Sequence, residues 1–232
     1  MELPKEKIKA IRKSPKTTFI YGPEKVGKTT ILSQLEDNLI IDLEDGSDYV
    51  DALKVKINSV SELRELIKEL NKENATKYKY VSIDTLDKVE EWAEEVAKAD
   101  YMNSPMGINF TGDSVLTLPK GAGYFWLRQA FFRIFNVLSK LAPNVILVGH
   151  IKETSVEKQG KEVDSKDINL TGKIKQMVAA KCDAIGYLFR DPKDSKKLMI
   201  TFDTKDEIRC GSRCDYLYGQ TFEFDWNKIM ID

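Results

Sequence analysis

The sequence predicts an α/β protein with a mostly parallel central sheet flanked by helices. Short apolar runs, TTFIY at 17–21, LIIDL at 39–43, YKYVSI at 78–83 and NVILVG at 144–149, are separated by stretches of helical spacing. The runs are nearly continuous rather than alternating, which marks strands covered on both faces. Hydrophobic residues make up 42% and charged residues 31% of 232 positions, enough apolar side chain for one sizeable buried core.

Taken in order, residues 1–16 form a basic N-terminal arm, in which residues 4–16 carry Lys5, Lys7, Lys9, Arg12, Lys13 and Lys16 against Glu6. Residues 17–232 then read as a single domain. Its first strand, 17–21, stops at the Gly22-Pro23 turn signal, and a helix follows over 28–36. After the strand at 39–43, Ser61 stands as a cap for a helix carrying Leu63, Leu66, Ile67 and Leu70. The strand at 78–83 precedes a helix over 86–100, with Leu86, Val89, Ala93, Val96 and Ala97 along one side. Residues 102–123 hold Gly107, Gly112, Gly121, Gly123, Pro105 and Pro119 and read as a long loop, the kind that is usually functional. A Phe- and Leu-rich helix at 124–141 leads into the strand at 144–149. Residues 152–169 are polar and give a second long loop, extending to 175. A short helix at 170–181, strands at 182–190 and 197–203, and an edge strand within 216–226 complete the chain.

Charge and cysteine usage exclude several classes. Basic residues number 36 and acidic residues 37, a net charge of -1, so a wholly basic surface for gripping nucleic acid is absent. The first sixteen residues hold no apolar leader core, and no apolar run approaches the roughly 18 residues of a membrane span. Cys182, Cys210 and Cys214 are an odd set, so they read as free thiols in a reducing compartment, and a cytoplasmic location is expected. A zinc site would need a fourth ligand, for which only His150 remains.

The most specific signal is GPEKVGKT at 22–29, which fits G-x-x-x-x-G-K-[ST] at every fixed position, between an expected strand and an expected helix. The residues Gly22, Pro23, Glu24, Lys25, Val26, Gly27, Lys28, Thr29 and Thr30 are therefore the expected nucleotide cradle. Gly22 and Gly27 let backbone N–H groups surround phosphate oxygens, and Lys28 is a point charge for the β- and γ-phosphates. Thr29 offers a hydroxyl to Mg²⁺, and the helix N-terminus adds the positive end of its dipole. ATP and Mg²⁺ are the expected cofactors. Asp84, closing the strand at 78–83, is the expected second metal-side group. Glu44, leaving the strand at 39–43, is placed as the general base for water, with Asp42 inside the strand less well placed. His150, the only histidine, closes the strand at 144–149 where a sensor of the γ-phosphate would sit.

With these motifs in place, the chain resembles the RecA-type recombinase fold. More closely, it looks like the short phage-type RecA-like proteins of the Sak group, single-strand annealing or recombination-mediating ATPases. The carriers are GPEKVGKTT at 22–30, IIDLEDG at 40–46, VSIDTLD at 81–87 and VILVGHIKE at 145–153, and the likeness extends over 15–215. It implies that Glu44 activates water, that Asp84 is the Walker-B acid and that His150 takes a switch position where glutamine is usual. It implies a homo-oligomer, ring or filament, acting on single-stranded DNA, with a single-strand binding protein as a further partner and host cytoplasm as the location. The loops at 102–123 and 152–175 would then meet DNA, with Phe110 or Tyr124 stacking on bases and Lys173, Lys175 and Lys181 contacting phosphates. Lys205, Arg209 and Arg213 would be candidates for a cation reaching a neighbouring subunit's γ-phosphate.

Two other readings use the same cradle. A small-molecule phosphotransferase would use 102–123 as a lid, but that stretch holds no arginine. A nucleotide-gated interaction protein with negligible turnover would have no need of Glu44.

Overall fold

A computed structural model describes residues 3–72, 77–158, 161–205 and 207–232. Strand β1 (Thr17–Gly22) runs into helix α1 (Lys28–Ser33), followed by β2 (Asn38–Asp42), β3 (Leu53–Lys56), α2 (Val60–Lys72), β4 (Tyr80–Asp84) and α3 (Leu86–Met102). Helix α4 (Ala122–Leu138) leads to β5 (Asn144–Lys158), β6 (Lys161–Ile168) and α5 (Gly172–Lys181). The chain continues through β7 (Ala184–Arg190), β8 (Leu198–Thr201), β9 (Gly211–Ser212), β10 (Thr221–Glu223) and α6 (Trp226–Ile229). The sheet order is β10-β8-β7-β1-β5-β4-β2-β3. From β7 to β3 every pairing is parallel, and β8 and β10 extend the sheet antiparallel. This is the expected fold class, an α/β fold with a mostly parallel sheet between helices.

The continuous apolar runs have the cause inferred from them. Phe19 and Tyr21 point to one face and Ile20 to the other. The same division separates Leu39 and Ile41 from Ile40, and Val145 and Leu147 from Ile146 and Val148. One face is covered by α2, α3, α4 and α5 through side chains such as Leu63, Trp92, Phe131 and Val178. The other is covered by α1 and α6 through Ile31, Leu32, Trp226 and Ile229. Two polar side chains in this interior are paired: Ser82 Oγ donates to Asn38 Oδ1 at 2.8 Å, and Asn38 Nδ2 to the Leu32 carbonyl at 2.8 Å.

Several boundaries differ from expectation, each for a physical reason. The helix at α2 is capped by Ser59 rather than Ser61: Ser59 Oγ accepts from Glu62 N–H at 3.2 Å, and Glu62 Oε2 accepts from Asn58 N–H at 2.8 Å. Strand β3 was not expected, because its residues are mostly exposed at the sheet edge. The stretch 152–169 is not a loop. It forms the antiparallel β5–β6 hairpin, in register from Ile151↔Ile168 to Lys158↔Lys161, and its largely polar sequence has no alternating apolar run to announce a strand. Within 102–123, 3₁₀ turns at Val115–Thr117 and Pro119–Gly121 pack under α4, with Val115 fully buried. The 216–226 stretch reduces to β10 followed by α6. In the basic arm, Lys13 and Ser14 N–H donate to the Asp232 carboxylate at 3.2 and 2.8 Å, and Arg12 reaches the Pro143 carbonyl and the Asn144 side chain.

The later α4 aromatics are core, whereas Tyr124 and Phe125 at its start are exposed: Phe131 is fully buried, with its ring 5.2 Å from Phe132 and 6.0 Å from Phe135. Phe131→Ala is expected to destabilise the protein by about 3–5 kcal/mol, read from the midpoint of urea unfolding.

Candidate functional site

Parallel pairing brings the strand ends to one edge. Gly22 of β1 lies level with His150 of β5, and Asp42 of β2 level with Asp84 of β4. Because β5 stands between β1 and β4, the cradle and Asp84 flank the end of β5. Carboxyl ends of parallel strands are where an open α/β sheet leaves room for a ligand.

The cradle is shaped by two glycines for two different reasons. Gly27 takes φ 115°, a left-handed conformation that side chains disfavour, and its carbonyl starts α1 by accepting from Ile31 N–H at 3.1 Å. Gly22 is needed for closeness: a Cβ there would lie 2.4 Å from the Leu188 carbonyl oxygen. Arg190 Nη2 donates to the Val26 carbonyl at 2.9 Å and holds the turn from β7. Lys28 is buried, and its Nζ donates to the carbonyls of Gly22 at 3.2 Å and Pro23 at 2.8 Å. Burial pushes its pKa down, against the pull of Asp84, Glu44, Asp87 and Glu24.

Thr29 Oγ1 donates to Asp84 Oδ2 at 2.6 Å, so the hydroxyl and carboxylate expected on the metal side meet. Asp84 is 4% exposed, and burial raises its carboxyl to about 6; the Thr29 bond lowers it, and the nearby Glu44 and Asp42 raise it. Asp84 does not cap α3, whose N-cap is Thr85.

Glu44 faces the same cavity and is oriented by Thr85, whose hydroxyl donates to Glu44 Oε1 at 2.7 Å. Its backbone is placed by Asp42. That carboxylate accepts N–H groups from Glu44 at 3.0 Å, Gly46 at 3.3 Å and Ser47 at 2.9 Å. Burial works to raise the Asp42 pKa, but the donors from Ser47, Glu44 and Gly46 outweigh it and hold the carboxyl below its usual value. Lys56 adds ion pairs to Asp45 at 3.2 Å and Asp48 at 2.8 Å. His150 sits between two acids, its Nε2 3.8 Å from Glu44 Oε2 and its Nδ1 3.6 Å from Asp87 Oδ2. The Asp87 carboxylate raises the imidazole pKa, partly offset by burial and Lys28.

Together these residues line a cavity of about 400 Å³, with Glu24, Lys25, Gly27, Lys28, Thr29, Thr30, Glu44, Asp84 and His150 in its wall. Pro23 and Val26 contribute their carbonyls to Lys28 and Arg190. A larger cleft of about 590 Å³ lies across α3, walled by Asp87, Glu90, Glu91 and Glu94; its acids would repel phosphate, so the smaller cavity is the one suited to a nucleotide. Sequence reasoning missed the roles of Thr85, Asp42, Asp87 and Arg190. Only the D-x-E spacing at 42–44 and the D-T-L-D run at 84–87 hinted at the first three.

The expected DNA and finger residues are scattered. Phe110 packs edge-on against Tyr101 at 5.2 Å, a loop anchor. Lys175 pairs with Asp167 at 2.6 Å, and Lys181 lies over the Phe132 ring. Lys173 is exposed and lines a groove with Tyr124 and Arg128. Arg209 pairs with Asp167 at 2.7 Å and Lys205 with Asp203 at 3.5 Å. Arg213 pairs with Asp183 at 3.1 Å, beside the start of β1 and away from the cradle. No cluster of three or more metal-binding side chains occurs among the described residues, where all three cysteines are free. Burial pushes the Cys182 and Cys210 thiols up to about 12. No described helix is long and apolar enough to cross a membrane.

A family model, AAA_24 (AAA domain), matches residues 14–214. No curated protein matches the chain. Among solved structures, the crystal structure of the RadB recombinase is similar, at 16% identity over 90% of this chain and 86% of that one, with a TM-score of 0.46.

The buried Asp84 has a stability consequence. Its folded pKa of about 6 stands above the reference 3.8, so the folded state binds the proton more tightly. The penalty is absent below about pH 4, grows as pH rises through that window, and is complete above about pH 6. With no metal present, Asp84→Asn is expected to raise stability by about 1–3 kcal/mol at pH 8 and not at pH 3.5. Urea unfolding of both proteins in EDTA at the two pH values checks it.

Proposed function

The chain belongs to the AAA domain family AAA_24, which its match covers from residue 14 to 214, and from that premise we propose that it is a Mg²⁺-dependent RecA-like ATPase acting on single-stranded DNA in recombination, by annealing or mediation. The observation that carries the ATPase reading is the meeting of Lys28, the Thr29–Asp84 pair and Glu44 in one cavity. Proteins of AAA and RecA-like families are typically ATPases.

Lys28 exchanges its two carbonyl partners for the β- and γ-phosphates, a stronger charge-assisted pairing. Thr29 and Asp84 are hard oxygen donors already in contact, a fit for Mg²⁺. The ion neutralises phosphate oxygens when bound. Glu44, held by Thr85 and by the Asp42-pinned turn, orients the attacking water and accepts its proton. His150 reports the γ-phosphate. A cation from a neighbouring copy completes the site in a homo-oligomer. Of the three candidates, Lys205 has the longest ion pair, at 3.5 Å, so it is the freest to reach across. The DNA reading is supported by the groove holding Tyr124, Arg128 and Lys173, which combines an aromatic face with two cations.

Mg-ATP turnover is to be measured without DNA, with single-stranded DNA and with duplex. The expected outcome is turnover stimulated by single strands and abolished in Lys28→Ala. Glu44→Gln is expected to lose on the order of 10²-fold in turnover while binding nucleotide within about threefold of the parent. Turnover indifferent to DNA would remove the DNA coupling. Inactivity of the parent protein would remove the ATPase reading altogether.

A further inference from the structure

Helix α3 begins directly after Asp84 and Thr85 and carries two carboxylates one turn apart, Asp87 and Glu90. Each accepts a backbone N–H from one foot of the β5–β6 hairpin. Asp87 Oδ2 accepts from His150 N–H at 3.0 Å, where β5 passes the edge of the parallel block. Glu90 accepts from Thr171 N–H with both oxygens, at 3.1 and 3.0 Å, where the chain turns into α5. The feet are tied to each other as well, since Asn169 N–H donates to the His150 carbonyl at 3.1 Å. Asp87 thus holds the His150 main chain with the same oxygen that faces the imidazole. Its other oxygen, Oδ1, is buried without a hydrogen-bond partner among the described residues, a cost that packing alone would not require.

We propose that Asp87 and Glu90 are positioning residues that fasten both feet of the hairpin to the first turns of α3, so that a shift of Asp84 and Thr85 is delivered to the hairpin as one rigid movement, with Asp87 also setting the His150 ring between itself and Glu44. The proposal rests on the ATPase reading, because it gives the nucleotide cavity a mechanical output. One helix linking the two places needs no chain of side-chain rearrangements between them. The groups facing the His150 ring are Asp87 from α3, Glu44 from the turn after β2 and Lys28 from α1.

The first readout is NMR titration of the imidazole, unambiguous because His150 is the only histidine. Asp87→Asn keeps an acceptor for the His150 N–H but removes the charge beside the ring, so the midpoint is expected to fall; Glu90→Ala is expected to leave it in place. The second readout is amide hydrogen exchange at Ile151, Ile168 and Thr171 with and without Mg-AMPPNP. The parent protein is expected to show slower exchange at these amides with the nucleotide. Asp87→Ala and Glu90→Ala are expected to lose that response while binding Mg-AMPPNP within about threefold of the parent, and Asp87→Asn and Glu90→Gln, which keep an acceptor, to retain it. An unmoved midpoint in Asp87→Asn, or a full exchange response in both loss variants, overturns the proposal. If the parent protein does not bind Mg-AMPPNP, the ATPase reading fails, and with it the mechanical output. The titration still decides separately whether Asp87 sets the histidine.

Discussion

Charged groups that meet at one cavity have to be gathered at the rim of a sheet whose two faces are both buried, and the parallel pairing of the sheet is the constraint that gathers them. The parallel pairing of β1, β5, β4 and β2 leaves Gly22, His150, Asp84 and Asp42 at neighbouring strand ends, where polar groups leave the core. The helices then remove water from both faces and so lower the local dielectric in which these groups act. The Thr29–Asp84 bond is the point of closure, because it ties the first turn of α1 to the end of β4 across the intervening β5.

The same gathering sets stability against function. Asp84 and Lys28 are both buried, with pKa values moved toward neutrality, the direction burial favours for each. Asp42 runs the other way. It collects three backbone donors, which hold its carboxyl below the usual value and fix the turn carrying Glu44. One carboxylate is poised by burial and its neighbour is held by the N–H groups that reach it.

Much of this was legible in the sequence and the rest was not, for identifiable reasons. The cradle is local: its meaning lies in eight consecutive residues, and the strand before it and helix after it follow from composition. Parallel strands were legible because burial on both faces leaves an unbroken apolar run. The hairpin from Ile151 to Ile168 was invisible because its largely polar sequence has no alternating apolar run. Thr85 and Asp87 were beyond reach because their partners, Glu44 and His150, lie on other strands and become neighbours only through β2–β4 and β4–β5 pairing. Residues assigned by resemblance were the most exposed to this limit: Lys175, Arg209 and Arg213 have acidic partners that no spacing rule connects to them.

The placement of β1 also governs the order in which the molecule can be made. Its neighbours are β5, with Thr17 opposite Val145, and β7, with Thr18 opposite Ala184. A ribosome delivers residues in order, so the phosphate cradle emerges long before either strand that flanks it. Until then β1 is an apolar segment with two unpaired edges, and the final pairing must close loops of well over a hundred residues. A topology so rich in distant contacts folds slowly. The cavity at the strand ends is therefore among the last features of the nascent chain to form, and Phe19, Ile20 and Tyr21 are where premature association with other chains, or capture by a chaperone, would first take hold.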